Sequence, residues 1–507
     1  MKILVMFMAL TFGAISHAQL PAPTVHQIPG LPGAELEIRF TNPQCEEHFY
    51  DSDVYSNSGE LLKSKPKGVY CAGKSDFTSA FDWGHSPRMK LLEWIQSPQT
   101  KEILFVYQSV SDSALLGAIC EAIKARGVKV TFVMSRDRVE EEGVWDPLID
   151  MNKTPVVETE RTQRKFERVL TKLTRCGLGK GDPQPVGILR GHTGVKESDS
   201  IGWAHNKYFI VNPNDPDQMS FSSGSGNFTT GAVSTNHENW FFFTHVPQDS
   251  HLARSLQCTI SAQLDDSAHV SRSIYEKRIQ DCLAAIPKEL KKAEGIRSYM
   301  VPAQGDVAIK ETIVPYFSHS KKITVAAHLL GYPDLFVRGM SCAAQTNPSS
   351  KYCQSRRGQV PGFLADIGGA EVRLLMDDDI HWLMVGQVGD KGKVGYNDSW
   401  EASLAERAQK SGVDLRFMQT NHHQGFGAQI HHSKILLFEG GSQEGVWTGA
   451  GNLTENAMHS NFENYYFFQI PSVVEAYSQQ LDKMFIEQAT QAMDMPKLDR
   501  PASESVL

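Results

Sequence analysis

Two short patterns in this sequence bring together groups suited to work on a phosphodiester. The first is His205-Asn206-Lys207 and the second is His432-Ser433-Lys434. On an extended strand, residues i and i+2 project to the same face, so each histidine travels with its lysine. Each pair is followed by a glycine-rich turn ending in asparagine, Gly224-Ser225-Gly226-Asn227 and Gly449-Ala450-Gly451-Asn452. Such glycines are expected to let the backbone approach a ligand, and an Asn amide can donate to an anionic oxygen. Eleven residues beyond each Asn stands an acid, Glu238 or Glu463, inside a repeated Asn-x-Glu-Asn.

The chemistry these residue types imply is displacement at phosphorus. Lys207, Lys434, Asn227 and Asn452 would hold the nonbridging oxygens and offset charge in the transition state. One imidazole would attack phosphorus; the other would protonate the leaving oxygen and then activate water. A Glu on the nucleophile's other ring nitrogen would fix its tautomer and support its charged form. The lysines supply the positive charge, so this reading requires no metal and no other cofactor.

The elements that must position these groups occur twice. Asn227–Phe243 aligns without gaps on Asn452–Phe468, 225 residues later, with 8 of 17 positions identical. His205 and His432 are offset by 227 residues, and the strand-like segments Lys101–Gln108 and Lys321–His328 by 220. Three matched blocks in one order, with drifting offsets, read as two copies of one domain, at 80–290 and 300–490. Ile103–Tyr107 reads as a buried strand, Ala114–Ala125 as an amphipathic helix stopped at Arg126-Gly127, and Val128–Met134 as a second strand. The second copy repeats the strands at Ile323–Ala327 and Val372–Met376. Strands starting at Lys207 and Lys434 follow each His. Strands alternating with helices imply an α/β fold with a buried sheet covered by helices.

With its double H-x-K, Gly-rich turn, Asn and downstream Glu, the sequence resembles the phospholipase D superfamily over about 400 residues. That family's pattern is H-x-K-x-x-x-x-D, then G-S-x-N, then Glu. The resemblance implies two tandem α/β/α domains related by a pseudo-twofold axis and sharing one active site. It assigns His205, Lys207, Asn227, Glu238, His432, Lys434, Asn452 and Glu463 to catalysis, with His205 as nucleophile and His432 as acid and base. Ser225 and Trp203 are the candidate substrate-binding residues. The sequence departs from the pattern at three places. The family's Asp is Asn212 and Glu439, and its second Ser is Ala450.

Composition narrows the rest. The chain has 507 residues, 41% hydrophobic and 21% charged, with a net charge of −8. This is a globular composition and excludes collagen-like, coiled-coil and wholly disordered classes. Residues 1–18 read as a signal peptide: Lys2, an apolar run from Ile3 to Ile15, then Ser16-His17-Ala18. The expectation is a secreted or periplasmic protein. Residues 19–79 read as an N-terminal extension, of which 19–43 is a Pro-rich leader; 493–507 reads as a flexible tail. An even set of eight cysteines in an oxidising compartment suggests disulfides Cys45–Cys71, Cys258–Cys282 and Cys342–Cys353, with Cys120–Cys176 remaining.

Arg161, Arg164, Lys165, Arg168, Lys172 and Arg175 share one face of a helix, with Phe166, Val169, Leu170 and Leu173 opposite. The basic face reads first as solvated, with phosphate binding as the alternative. His422, His423 and His431 read as a polar active-site loop, since their spacing supports no metal set. Trp240 and Trp447 read as core. The leading function is a secreted phospholipase D-like phosphodiesterase that releases the headgroup of glycerophospholipids, acting as a monomer on a lipid substrate or membrane surface. The alternatives are a metal-independent nuclease, with nucleic acid as partner, a cardiolipin-synthase-like transferase, and an inactive phosphate-binding protein. An acidic chain favours lipid over a polyanion backbone.

Overall fold

Long apolar runs form the strands of two eight-stranded sheets. The structure, a computed structural model, describes residues 23–41, 46–50, 54–55, 61–63, 68–72, 86–136, 160–177, 184–192, 199–216, 219–346, 351–364, 367–378, 380–381, 396–420, 430–442 and 444–491. The first sheet contains β1 (Val25–Gln27), β2 (Glu35–Thr41), β3 (Glu102–Tyr107), β4 (Lys129–Ser135), β5 (Val186–Arg190), β6 (Tyr208–Val211), β7 (Met219–Gly224) and β8 (Glu238–Val246). Their spatial order is β1-β2-β8-β7-β6-β3-β4-β5. The second sheet contains β9 (Ile296–Val301), β10 (Lys322–Ala327), β11 (Glu371–Asp377), β12 (Asp414–Met418), β13 (Lys434–Glu439), β14 (Gly445–Gly449), β15 (Glu463–Phe468) and β16 (Ala489–Gln491). Its order is β9-β15-β14-β13-β10-β11-β12-β16. From β8 to β5 and from β15 to β12 the two orders correspond strand for strand, so the fold carries the duplication read from the sequence.

The strands read as continuous apolar runs because both faces of each sheet are covered. On β8, Trp240 and Phe242 face an outer layer with Leu115, Ile119 and Phe166, whereas Phe241 and Phe243 face the other half of the molecule. On β15, Tyr465 and Phe467 face outward and Tyr466 and Phe468 inward. The inward rings meet across the middle: Phe241 lies 5.0 Å from Tyr466 and 5.3 Å from Phe468, centroid to centroid. One apolar cluster therefore belongs to both sheets and locks the halves together.

Helices supply the outer layers. In the first half these are α1 (Pro87–Gln96), α2 (Ser113–Arg126) and α3 (Glu160–Thr174). Local chemistry fixes their ends. Ser86 and Asp112 accept the N–H of Met89 and Leu115 as N-caps. Gly127 closes α2 in the left-handed region at φ 65°. Disulfides Cys120–Cys176, Cys258–Cys282 and Cys342–Cys353 are formed as expected. Cys45, the segment read as a signal peptide and the segment read as a tail lie outside the described residues.

The N-terminal boundary differs from the sequence reading. A leader ending at residue 43 and a domain starting at 80 leave out β2, which pairs with β8 over seven residues, from Glu238↔Thr41 to Thr244↔Glu35. In the second half β9 pairs with β15 in the same way, with Val301↔Glu463 at one end. Both halves are thus completed at the same edge. The strand was hidden because Glu37 and Arg39 interrupt its apolar residues. In the fold these two charges are buried and pair with each other at 2.6 Å.

Candidate active site

Each histidine sits just before the strand that follows it, His205 before β6 and His432 before β13, so the expected strands begin two or three residues later than the histidines. Both lie at the C-terminal ends of the neighbouring strands β3 and β10. The backbone there is held by the opposite half. The N–H of His205 donates to the Phe462 carbonyl at 2.9 Å, and the N–H of His432 to the His237 carbonyl at 3.0 Å. Short bridges Ala204↔Phe462 and His237↔His431 repeat the same symmetry. Residues 460–464 therefore seat the first histidine, and 236–239 seat the second.

The side chains cross over in the same way. His205 Nδ1 lies 2.9 Å from Glu463 Oε2, and His432 Nδ1 lies 2.8 Å from Glu238 Oε2. Each imidazole is thus oriented by the carboxylate of the other copy, which leaves its Nε2 pointing away from the Glu. Lys207 Nζ is 3.0 Å from His205 Nε2 and donates to the His205 carbonyl; Lys434 Nζ donates to the His432 carbonyl at 2.6 Å. All six groups are buried.

The first Asn of each Asn-x-Glu-Asn holds the carboxylate. Asn461 Nδ2 donates to Glu463 Oε1 at 3.0 Å, and Asn236 Nδ2 to Glu238 Oε1 at 3.4 Å. The second Asn ties the halves together. Asn464 accepts the N–H of Lys207 at 3.0 Å and donates to Ser223 Oγ at 2.6 Å; Asn239 donates to Thr448 Oγ1 at 3.0 Å. These four Asn were visible as matched letters in the repeat, but only the acid between them was given a role. His328 was also missed. Its ring lies 4.5 Å from that of His432, and its Nδ1 is 3.1 Å from the His431 carbonyl. The aligned residue in the first half is Gln108, so no repeat marked it.

Burial sets the electrostatics. It pushes His205 below its ordinary 6.5, against the pull of Glu463. It lowers Lys207 to about 8, again opposed by the two glutamates. It raises Glu238 to about 7 and drives His432 well down, the two lysines adding to the effect on His432. With Oε2 and Nδ1 in hydrogen-bond contact, Glu238 and His432 share a proton and titrate as a pair. His431, 0% exposed, is lowered to about 3 and stays neutral.

Three expectations change. Gly224 and Gly449 do not clear room for a ligand: a Cβ at either would lie 2.1 or 2.2 Å from the carbonyl of Asn239 or Asn464. Gly226 likewise lies against the Trp240 ring. The glycines let the turn lie flat on the strand that carries the acid. Ser225 is fully buried and donates to Glu238 Oε2 at 2.6 Å while accepting the Asn239 N–H, so its hydroxyl serves the carboxylate rather than a substrate. Ala450 leaves Glu463 without that bond. His431 lies in the core, not in a polar loop; His422 and His423 are outside the described residues.

Asn227 and Asn452 end their turns half-buried, each with its Oδ1 enclosed and unbonded by described residues. Trp203 is half-buried beside the site. Its N–H donates to Asn461 and its ring meets His192 edge-on at 4.3 Å. Trp240 and Trp447 are core residues. Asn212 and Glu439 face structural partners. Asn212 accepts the N–H groups of Lys101 and Glu102, and Glu439 pairs with Lys322 at 3.1 Å.

Two sheet-centred domains that exchange His–Glu contacts across one buried cluster define a two-domain fold with a single composite site. The family model described as "Cardiolipin synthase, PLD-like domain" matches residues 91–259 and 365–485, together more than half of the chain. The chain belongs to the phospholipase D superfamily, whose members act on phosphodiester bonds. No curated protein matches the sequence. The phosphatidylserine synthase of Haemophilus influenzae Rd KW20 is similar over 81% of this chain and 87% of its own, at 13% identity and a TM-score of 0.52. Polyphosphate kinase from Porphyromonas gingivalis is similar over 82% of this chain, which spans 50% of the kinase, at 12% identity and a TM-score of 0.40. Nuc, a phospholipase D family member from Salmonella typhimurium, is similar to 39% of this chain over 96% of its own length, at 17% identity and a TM-score of 0.25. At 13% identity the likeness to the synthase is one of fold.

Proposed function

We propose that the protein is a secreted phosphodiesterase that hydrolyses the headgroup ester of glycerophospholipids through a covalent phosphohistidine. The observation that carries this reading is the crossed pairing of His205 with Glu463 and His432 with Glu238, with both lysines enclosed beside them. His205 attacks phosphorus through Nε2 while Glu463 holds its Nδ1 proton, and the bond to the headgroup oxygen breaks. His432 passes the proton on its Nε2 to that oxygen, while Glu238 holds the proton at its Nδ1. His432 then takes a proton from water, whose oxygen displaces His205 and completes the cycle. Lys207, Lys434, Asn227 and Asn452 stabilise the charge on the nonbridging oxygens. The acidic net charge of −8 supports a lipid over a nucleic-acid substrate.

The test incubates the pure protein with headgroup-labelled phospholipid vesicles and, separately, with plasmid DNA, both in excess EDTA. The expected result is headgroup release that His205→Asn abolishes, with the plasmid intact. Plasmid cleavage without headgroup release would assign the site to nucleic acid. Transfer of the phosphatidyl group to added glycerol in preference to water would make it a transferase.

A further inference from the structure

We infer that the exposed face of α3 is a second, noncatalytic anion site that docks the protein on an anionic phospholipid surface. Arg164, Arg168, Lys172 and Arg175 follow one another at steps of 4, 4 and 3 residues. At 100° per residue they fall within an arc of about 80°, and at 1.5 Å per residue they span about 16 Å. The opposite side of the helix is anchored: Phe166, Val169 and Leu173 are buried in the first domain's outer core. The Cys120–Cys176 disulfide fixes the end of the segment to α2. The row is thus held on a rigid element instead of a loop.

Three of the four charges on this face, Arg168, Lys172 and Arg175, are not consumed by the fold. Arg168 and Arg175 are exposed and pair with no described residue, and Lys172 touches only the Ser113 carbonyl, at 3.4 Å. Glu167 lies at the edge of the face, and its carboxylate accepts from Gln163 at 2.8 Å. These side chains, with Thr171, surround a shallow hollow that none of the catalytic residues lines. On a chain of net charge −8, such a local concentration of cations stands out against its background.

The shape favours a plane over a polymer. The row runs straight along one helix, and the only aromatic residue between 163 and 175, Phe166, is buried, so this stretch offers no ring for base stacking. The topology also gives it a direction. The α3 crossover joins the parallel strands β4 and β5, so its Arg164 end lies toward the strand ends where His205 stands. This inference concerns binding alone and does not depend on which diester the histidines cleave.

The test measures sedimentation of the full chain carrying His205→Asn, so that no lipid is consumed, with vesicles of about three parts phosphatidylglycerol to seven parts phosphatidylcholine. At about fivefold per basic residue, Arg168→Gln/Lys172→Gln/Arg175→Gln should weaken binding about a hundredfold, and pure phosphatidylcholine should bind neither form. The same triple change made with His205 intact should leave turnover of a soluble diester within about twofold, which shows that the fold is retained. If the triple variant does not fold, Arg168→Gln alone should cost about fivefold. Equal vesicle binding by parent and variant would overturn the inference. Loss of duplex-DNA binding with vesicle binding unchanged would also overturn it, and would make the face a nucleic-acid surface.

Discussion

Each active-site imidazole depends on a single carboxylate, and that dependence can be measured one residue at a time. A Gln at position 238 or 463 keeps the shape but removes the charge that supports an imidazolium. Glu238→Gln and Glu463→Gln should each lower kcat on a soluble diester by about 10²-fold or more. Asn212→Asp should change it less than about threefold, because an Asp still accepts the N–H groups of Lys101 and Glu102 and loses only the donation to the Gln99 carbonyl. Glu439→Asp, beside Lys322 and Ser478, should be similarly mild. A large gain from Asn212→Asp would show that this position matters to the chemistry. The pH profile follows from burial. His205 must be neutral to attack, and its pKa is held below 6.5, so kcat/KM should rise with pH and level off before neutrality. Lys207 and Lys434 must both be charged and burial lowers both, Lys207 to about 8, so on a p-nitrophenyl diester, which needs no general acid, activity should have fallen by the time pH passes about 8. Lys207→Arg, keeping its charge, should move that limb upward even if its plateau is lower.

At the scale of elements, the turns after β7 and β14 are set by what lies beneath them. A methyl group at position 224 would meet the Asn239 carbonyl at 2.1 Å, on a backbone with φ +146°. Gly224→Ala should therefore destabilise the protein by roughly 2–4 kcal/mol, read from the shift of its urea midpoint. The same turns show where the sequence was readable. The regular strands could be placed within a residue or two, because Ile103–Tyr107 and Ile323–Ala327 are buried on both faces and read as unbroken apolar runs. The eight catalytic candidates could be found because the repeat aligned them in pairs. The crossing of the glutamates could not, since a repeat gives two equal sets of letters and no sign of which histidine each acid faces. β2 was missed for a different reason. Its buried Glu37–Arg39 pair looks like a solvated stretch until both partners are seen.

At the scale of the molecule, the crossed pairs make activity a property of the whole chain. Residues 80–290 alone contain His205 but neither Glu463 nor Asn464, and they also lack β2. That fragment should show no turnover above background at any concentration that keeps it monomeric, whereas the full chain should act as a monomer of constant specific activity on dilution. Full activity should survive excess EDTA, because two buried lysines already place positive charge at the site. There is also a consequence in time. His205 precedes its carboxylate partner by 258 residues. While the chain is being made, His205 leaves the ribosome long before the group that orients it, and the early half waits with an unaligned imidazole. The crossed His–Glu pairs are therefore assembled late and all at once, when β15 docks against the finished first sheet. A truncated or stalled product would lack the crossed pairs, so the duplication builds into the order of synthesis a delay that some enzymes obtain from a removable pro-segment.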